Sequence, residues 1–341
     1  MKSKESKIAW PRIYTLHSQK GGVGKTSVAI AIAGFASIFH KKNALIIDAD
    51  LTGVSLADLP NWVSDNQKKI KYFNDLILAK PNEFLKYTRT SSTKSKTQIR
   101  GKLKPFYQKI PNYERIFYMP GSPFFGDLRK IIPLISQEDY LQFFRQRIED
   151  IIITAFYDHF DSIIIDHPPG LFGVSTASLN IILSQITKEN SYIGKDVVSK
   201  AIFLTTADTF DYKALIPSIS FILTENNNFQ YLNPDDPRID LIINKAGTSK
   251  SRKDLVLEQK EIFKNISGKF PDERKVHPDL ISYLPKRAER VGALACEYVE
   301  DFDLKNILET IVRLKNKDAE DGMERWCAQI GKLVGLYKGS F

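Results

Sequence analysis

Residues 17–29 read HSQKGGVGKTSVA: three glycines and two lysines five positions apart, directly before an apolar run. The segment in front, beginning at Ile13, is short and apolar. The segment behind, VAIAIAGFA, carries no polar residue for more than two helical turns. A strand that turns through glycines into a helix presents backbone N–H groups and the positive end of a helix dipole to an anion. The sequence therefore predicts a phosphate loop of Gly21, Gly22, Val23 and Gly24, with Lys25, Thr26 and Ser27 opening the helix. In such a loop Lys25 reaches the β- and γ-phosphates of a nucleotide and the Thr26 hydroxyl ligates Mg²⁺.

Further along the chain, short β-rich runs alternate with segments of helical period. Strands are expected at Ile13–Ser18, Ala44–Asp48, Arg115–Met119, Ser162–Asp166, Ala201–Thr206, Ile239–Asn244 and Leu280–Leu284. ALIID, SIIID and DLIIN are nearly continuous in apolar character, as strands buried on both faces are, and each ends in a polar residue. The fold class that follows is α/β: a doubly wound, mainly parallel β-sheet flanked by helices, with ligands at the carboxyl ends of its strands. The organisation expected is an N-terminal tail (1–12), one nucleotide-binding domain (13–300) and a C-terminal helical extension (301–341).

The net charge of +9 is concentrated in one place. Between Ser64 and Lys109 stand twelve cations, among them Arg89, Lys94, Lys96, Arg100, Lys102 and Lys104, against three anions, an excess equal to that of the whole chain. This stretch, including SSTKSKTQIRGKLK, reads as a mobile or semi-ordered surface insertion. It is either a grip on nucleic-acid phosphates or a merely solvated loop. No apolar run is long enough to span a membrane, and the charged start MKSKESKIAWPR lacks a following apolar core, so a cytoplasmic location is expected. Cys296 and Cys327 are too far apart for a disulfide framework or a metal site and read as small apolar fillers.

Hydrolysis of a nucleotide also needs Mg²⁺ held and a water oriented. Asp48 and Asp50 in ALIIDADLTG and Asp166 in DSIIIDHPPG are the carboxylates at strand ends. His167 is tempting as a base, but a turn histidine bonded locally is the plainer reading, because phosphoryl transfer asks for positioning and charge.

QKGGVGKT resembles the deviant Walker A box of the ParA/MinD family of P-loop ATPases, and Gln19 is more like its partition members than its division-site members. The resemblance runs from Ile13 to Glu297 with the insertion excluded. It implies ATP and Mg²⁺ as cofactors and slow ATP hydrolysis stimulated by a partner protein. It further implies a homodimer sandwiching the nucleotide, with Lys20 reaching the partner's ATP. Asp50 would position the attacking water, Asp48 would support the metal from behind, and Asp166 would hold Mg²⁺ through water. Pro168-Pro169-Gly170 resembles the γ-phosphate switch, Asn244 stands where the family reads adenine, and Pro285 where its backbone lines the base. The residues after Asp50, Leu51-Thr52-Gly53-Val54-Ser55-Leu56, depart from the Pro-Gln-Gly of partition ATPases and sit closer to iron–sulfur scaffold ATPases and bacterial tyrosine kinases. The first of these alternatives lacks its paired cysteines, and the second lacks its tyrosine cluster, since the tail carries only Tyr337.

Two modes of action remain: a ParA-like switch on non-specific DNA, and a MinD-like switch on membrane. The second would use the last helix, where Met323, Trp326, Cys327, Ile330, Leu333, Val334 and Tyr337 share a face, with Glu324, Arg325, Gln329, Lys332 and Lys338 outside it. The same stripe also suits a helix docked on its own core.

Overall fold

The computed structural model describes residues 8–51, 71–88, 103–123, 129–130, 133–134, 139–183, 197–206, 211, 214–215, 239–244, 304–316, 318–320 and 322–339. Seven strands form one sheet among these residues: β1 (Arg12–His17), β2 (Ala44–Asp48), β3 (Gln108–Lys109), β4 (Ile116–Met119), β5 (Ser162–Asp166), β6 (Val198–Thr206) and β7 (Ile239–Asn244). Their order is β3-β4-β2-β5-β1-β6-β7, parallel throughout except for the edge strand β3. The doubly wound α/β class expected from the sequence is the one observed. Leu280–Leu284, expected as a further strand, lies outside the described residues, as do Pro285 and Cys296.

Side chains alternate across the pleat, so each strand feeds two cores. Ile13, Leu45, Ile47, Ile163, Ile165 and Phe203 face one side, covered by α2 (Phe73–Ile77), α3 (Pro81–Phe84), α4 (Asp139–Tyr157) and α5 (Val174–Leu183). Tyr14, Leu16, Ile46, Tyr118, Ile164 and Ile202 face the other, covered by α1 (Lys25–Gly34), α6 (Leu304–Leu314) and α7 (Gly322–Leu333). α1 runs on into a π-type turn over Phe35–Phe39. Gly34 is what lets α6 cross close to α1, since a Cβ there would stand 2.7 Å from Ile311 Cδ1.

Three expectations are corrected. The stretch 64–109 is not wholly a surface insertion. Phe73, Leu76, Ile77, Phe84, Leu103 and Phe106 are all buried in the first core, and Phe73 N–H donates to Pro120 O at 2.8 Å. Apolar residues that look sparse among lysines here gather on one side, while Lys80, Lys86, Lys104 and Lys109 stay exposed. Residues 89–102, the most basic part, lie outside the described residues. Secondly, α7 departs from its expected outer face at one residue, while its apolar stripe is docked on the protein's own core, one of the two readings the sequence allows. Trp326, Cys327 and Ile330 are buried beside α1 and α6, and Arg12 Nη1 donates to Val334 O at 2.7 Å. Glu324, expected on the outer face, is also buried: its Oε2 accepts the Glu320 N–H at 3.0 Å and its Oε1 accepts Arg313 Nε at 3.4 Å. Thirdly, of Leu304, Ile307, Leu308, Ile311 and Val312, which the sequence sets at helical spacing between Asp303 and Lys317, Val312 lies off the buried face of α6 at 45% exposure, with Leu314 taking the buried position. Among the described residues no helix is long and apolar enough to cross a membrane.

Candidate nucleotide site

β1 ends at His17, and the chain turns through Ser18–Gly24 into α1. Gly24 caps the helix at φ 96°, in the left-handed region, and its position allows no side chain. A Cβ there would overlap Nδ2 of Asn244. Gly24→Ala is therefore expected to cost about 1–3 kcal/mol of stability and to weaken nucleotide binding at least about tenfold, roughly 1.4 kcal/mol, checked by thermal melting and Mg·ADP titration.

Lys25 folds back under the loop, and its Nζ donates to Ser18 Oγ at 2.8 Å. Ser18 Oγ in turn donates to the Lys20 carbonyl at 2.7 Å, so one hydroxyl ties the lysine to the loop's backbone. Burial pushes the Lys25 ammonium below its ordinary pKa, opposed by the negative charges of Asp166 and Asp50. A lysine held dry beside two carboxylates is preorganised for a polyanion, because the solvation it has lost is recovered only by negative charge.

Thr26, one residue on, donates its hydroxyl to Asp166 Oδ2 at 2.6 Å. Asp48 and Asp166 are register partners on β2 and β5, which brings both strand-end carboxylates beside the loop. Asp166 is buried, and its other oxygen, Oδ1, has no hydrogen-bond partner among the described residues. Burial raises its pKa to about 6, partly offset by Lys25 and by the Thr26 hydroxyl. A buried carboxylate with one orphaned oxygen beside a threonine hydroxyl is a donor set that suits a hard, oxygen-seeking cation. Mg²⁺ fits it, with Thr26 and Asp166 as the residues that would hold it; when bound it would neutralise phosphate charge.

The raised pKa has a consequence for stability. A folded pKa above the unfolded one means the native state binds the proton more tightly. The associated stability is present below about pH 4 and lost as pH rises through about 6. At pH 8 without metal, Asp166→Asn is accordingly expected to raise stability by about 1–3 kcal/mol, the order of a two-unit shift, while abolishing the dependence of nucleotide binding on Mg²⁺. Urea unfolding and titration with and without Mg²⁺ check the two halves separately.

Asp48 has its oxygens committed: Oδ1 accepts the Asp50 N–H at 3.1 Å, and Oδ2 accepts the Tyr118 hydroxyl at 3.3 Å. Burial raises the Tyr118 pKa well above its usual value, with the Asp48 charge adding to it, so the phenol stays a donor. Asp48 thus fixes the turn that carries Asp50. Asp50 is half-buried, and its charge is felt at both Lys25 and Asp166.

The Pro168-Pro169-Gly170 turn closes the other side. Gly170 N–H donates to Ser18 O at 2.8 Å, and a Cβ on Gly21 would touch Pro169 Cγ at 3.6 Å. His167 does not bond locally as the sequence suggests. Its ring is buried with neither nitrogen paired among the described residues, stacked on His17 with centroids 4.8 Å apart. The reason is steric: the turn folds the ring beneath the loop against His17, whose own nitrogens are taken by Ser175 Oγ (2.9 Å) and Thr15 Oγ1 (2.8 Å). Burial and then the Lys25 charge lower the His17 pKa to about 3. His167 is lowered well below its ordinary value, by burial first and then by His17 and Lys25. Both rings are neutral.

Lys20 lies on the exposed rim of the loop and is ion-paired with Asp211 of its own chain. Asn244 ends β7 against the loop, its Nδ2 donating to Val23 O at 2.8 Å and its Oδ1 accepting the Trp326 indole N–H at 3.2 Å. Lys25, Thr26, Asp50 and Asp166 are therefore gathered at one helix N-terminus, with Asp48 and Asn244 packed against it. Sequence reasoning does not reach Ser18, Tyr118, Asp211 or Trp326. Of these, Ser18 at the carboxyl end of an expected strand and Asp211 shortly after another carry a positional signal in the sequence.

A glycine loop closing on a helix N-terminus, a buried lysine and a Thr–Asp pair between the first turn of that helix and the end of a parallel strand define a P-loop nucleotide-binding domain. The chain belongs to the CbiA family, whose CobQ/CobB/MinD/ParA nucleotide binding domain matches residues 14–326. No curated protein matches the sequence closely enough to count as a relative. Among solved structures, an ATP complex of a Cyanothece McdA variant is similar at 16% identity and a TM-score of 0.55, over 98% of this chain and 100% of that one. Apo McdA from Cyanothece is similar at 15% identity and a TM-score of 0.53, over 95% and 99%. The cell division ATPase MinD of Pyrococcus furiosus is similar at 16% identity and a TM-score of 0.50, over 95% and 98%. At these identities the likeness is one of fold.

Proposed function

We propose that this chain is an ATP-hydrolysing molecular switch that positions or partitions cargo. The observation that carries the reading is the Thr26–Asp166 pair with its orphaned Oδ1, set beside buried Lys25 at the start of α1. Those groups match the needs of Mg·ATP: a point charge for the β- and γ-phosphates, a hydroxyl and a carboxylate for the metal, and backbone N–H groups for the rest. The ATP complex of the McdA variant, a protein of this fold, supports ATP as the nucleotide. Lys20, on the rim, would leave Asp211 to reach the nucleotide of a second copy, so that ATP holds a sandwich dimer together. Hydrolysis would be slow until a partner protein rearranges the site.

Non-specific DNA is the proposed surface, gripped by the lysines and arginines of 64–109. The membrane alternative needs the apolar stripe of α7 exposed, and the burial of Trp326, Cys327 and Ile330 counts against it. The test is DNA binding by the Asp50→Ala protein with ATP and with ADP across a salt titration, beside a variant with Lys94, Lys96, Arg100 and Lys102 changed to Gln. Those four stand in the sequence between Thr88 and Leu103, and the change removes four charges while keeping the length of the chain. ATP-dependent binding whose salt slope falls by about one for each phosphate-neutralising cation removed supports the reading. Absence of binding in both nucleotide states removes DNA from it.

A further inference from the structure

We infer that Trp326 is a positioning residue of the phosphate loop, which makes the C-terminal helix α7 part of the nucleotide-binding apparatus. The inference rests on the nucleotide reading above and adds a residue more than 300 positions from the loop. Trp326 and Asn244 are both buried, and the relay is short: the Trp326 indole N–H to Asn244 Oδ1 at 3.2 Å, then Asn244 Nδ2 to the Val23 carbonyl at 2.8 Å. An indole nitrogen can only donate and a carbonyl oxygen can only accept. Turning the Asn244 amide over would set its NH₂ against the indole N–H and its oxygen against the Val23 oxygen, two like pairs in a buried place. One orientation of the amide is therefore enforced from both ends, and Trp326 enforces half of it.

The consequence reaches the anion site through peptide planarity. In a trans peptide the C=O of one residue and the N–H of the next point in opposite directions. With the Val23 carbonyl drawn to Asn244, the Gly24 N–H is turned the other way, to the open side of the loop, where a phosphate oxygen would meet it. Asn244 also abuts Gly24 itself, where even a Cβ would collide with it. Loosening Asn244 frees the Val23–Gly24 peptide to rotate, and the loop loses part of its preorganisation. The coupling is reciprocal: whatever undocks α7 weakens nucleotide binding, and bound nucleotide tightens α7 on the core.

The test compares the full-length protein with Trp326→Phe, which keeps most of the apolar ring and deletes the N–H, and with Ile330→Val, which trims the packing of α7 and keeps the indole. Amide hydrogen exchange across residues 20–26 is measured without nucleotide, and the Kd for Mg·ADP by titration. Expected for Trp326→Phe is faster exchange in the loop and a Kd raised about three- to tenfold, the size of one buried hydrogen bond, and no further rise when Trp326→Phe is added to Asn244→Ala. Loop exchange like the parent's overturns the inference, and so does an equal effect from Ile330→Val, which would mark packing alone. A parent that binds neither ADP nor ATP overturns instead the nucleotide reading, while the exchange comparison still decides whether Trp326 sets the loop.

Discussion

Lys25→Ala is expected to remove nucleotide binding, with the Kd for Mg·ADP and for ATP raised about a hundredfold or more, roughly 2.7 kcal/mol. Among the described residues the Lys25 ammonium is the cation held inside the loop, kept dry against Ser18 Oγ between the charges of Asp166 and Asp50. Its removal deletes the charge-assisted bonds to the phosphates, which are the stronger class of hydrogen bond. Asp166 also loses the opposite charge that holds its pKa down, so its upward shift grows and its readiness to take a cation at neutral pH falls. The two losses compound, because metal and phosphates bind together. Isothermal titration over a range of Mg²⁺ concentrations measures both, and parent-like affinity in this variant would remove Lys25 from the site.

How far the sequence discloses this site depends on whether a feature is local. The loop, the buried strands β2 and β5 and the carboxylates at their ends are legible because each is a contiguous pattern: glycines before an apolar helix, or an apolar run ending in Asp. β3 is not legible, since two residues, Gln108 and Lys109, carry no period, and their pairing with Tyr118 and Phe117 makes them a strand. β6 starts at Val198 rather than Ala201 because parallel pairing with Arg12, Ile13 and Tyr14 extends it backwards through Lys200 and Ser199, whose own composition argues against a strand. The flanks of the basic stretch mislead for a related reason. Phe73, Phe84 and Phe106 stand far apart in a lysine-rich stretch, and their common burial exists only once α2, α3 and the 103–106 turn meet beneath α4. Periodicity shows which face of α7 is apolar, but not what covers it. Trp326 is one apolar residue among seven until the fold sets its N–H against Asn244, 82 positions earlier. Lys20 and Asp211 are brought together in the same way, each following the carboxyl end of one of the adjacent strands β1 and β6.

Asp50→Ala is expected to separate hydrolysis from binding: turnover falls by about a hundredfold or more, within the range for a lost proton-handling or water-orienting group, while the Kd for ATP stays within about threefold. The groups proposed to bind are Lys25, Thr26, Asp166 and the loop amides, and they carry their own anchors, Lys25 on Ser18 Oγ and Thr26 on Asp166. What Asp50 adds is a half-buried carboxylate on a turn whose position is fixed from below. Its N–H is anchored to Asp48, and Asp48 to the Tyr118 hydroxyl. Orienting an attacking water for in-line displacement requires such a fixed acceptor close to the phosphate site and does not require that it touch the nucleotide. The variant would thus accumulate the ATP-bound state, and with it the sandwich dimer, measured by light scattering with ATP against ADP. Asp48→Ala makes the complementary case, because it frees the Asp50 turn and takes away the acceptor of the buried Tyr118 hydroxyl, so both stability and turnover should fall. Undiminished turnover in Asp50→Ala would take the water-positioning role away from this residue. A loss of ATP affinity equal to the loss of turnover would show that Asp50 acts on the bound ground state, through its charge at Lys25, rather than on the water.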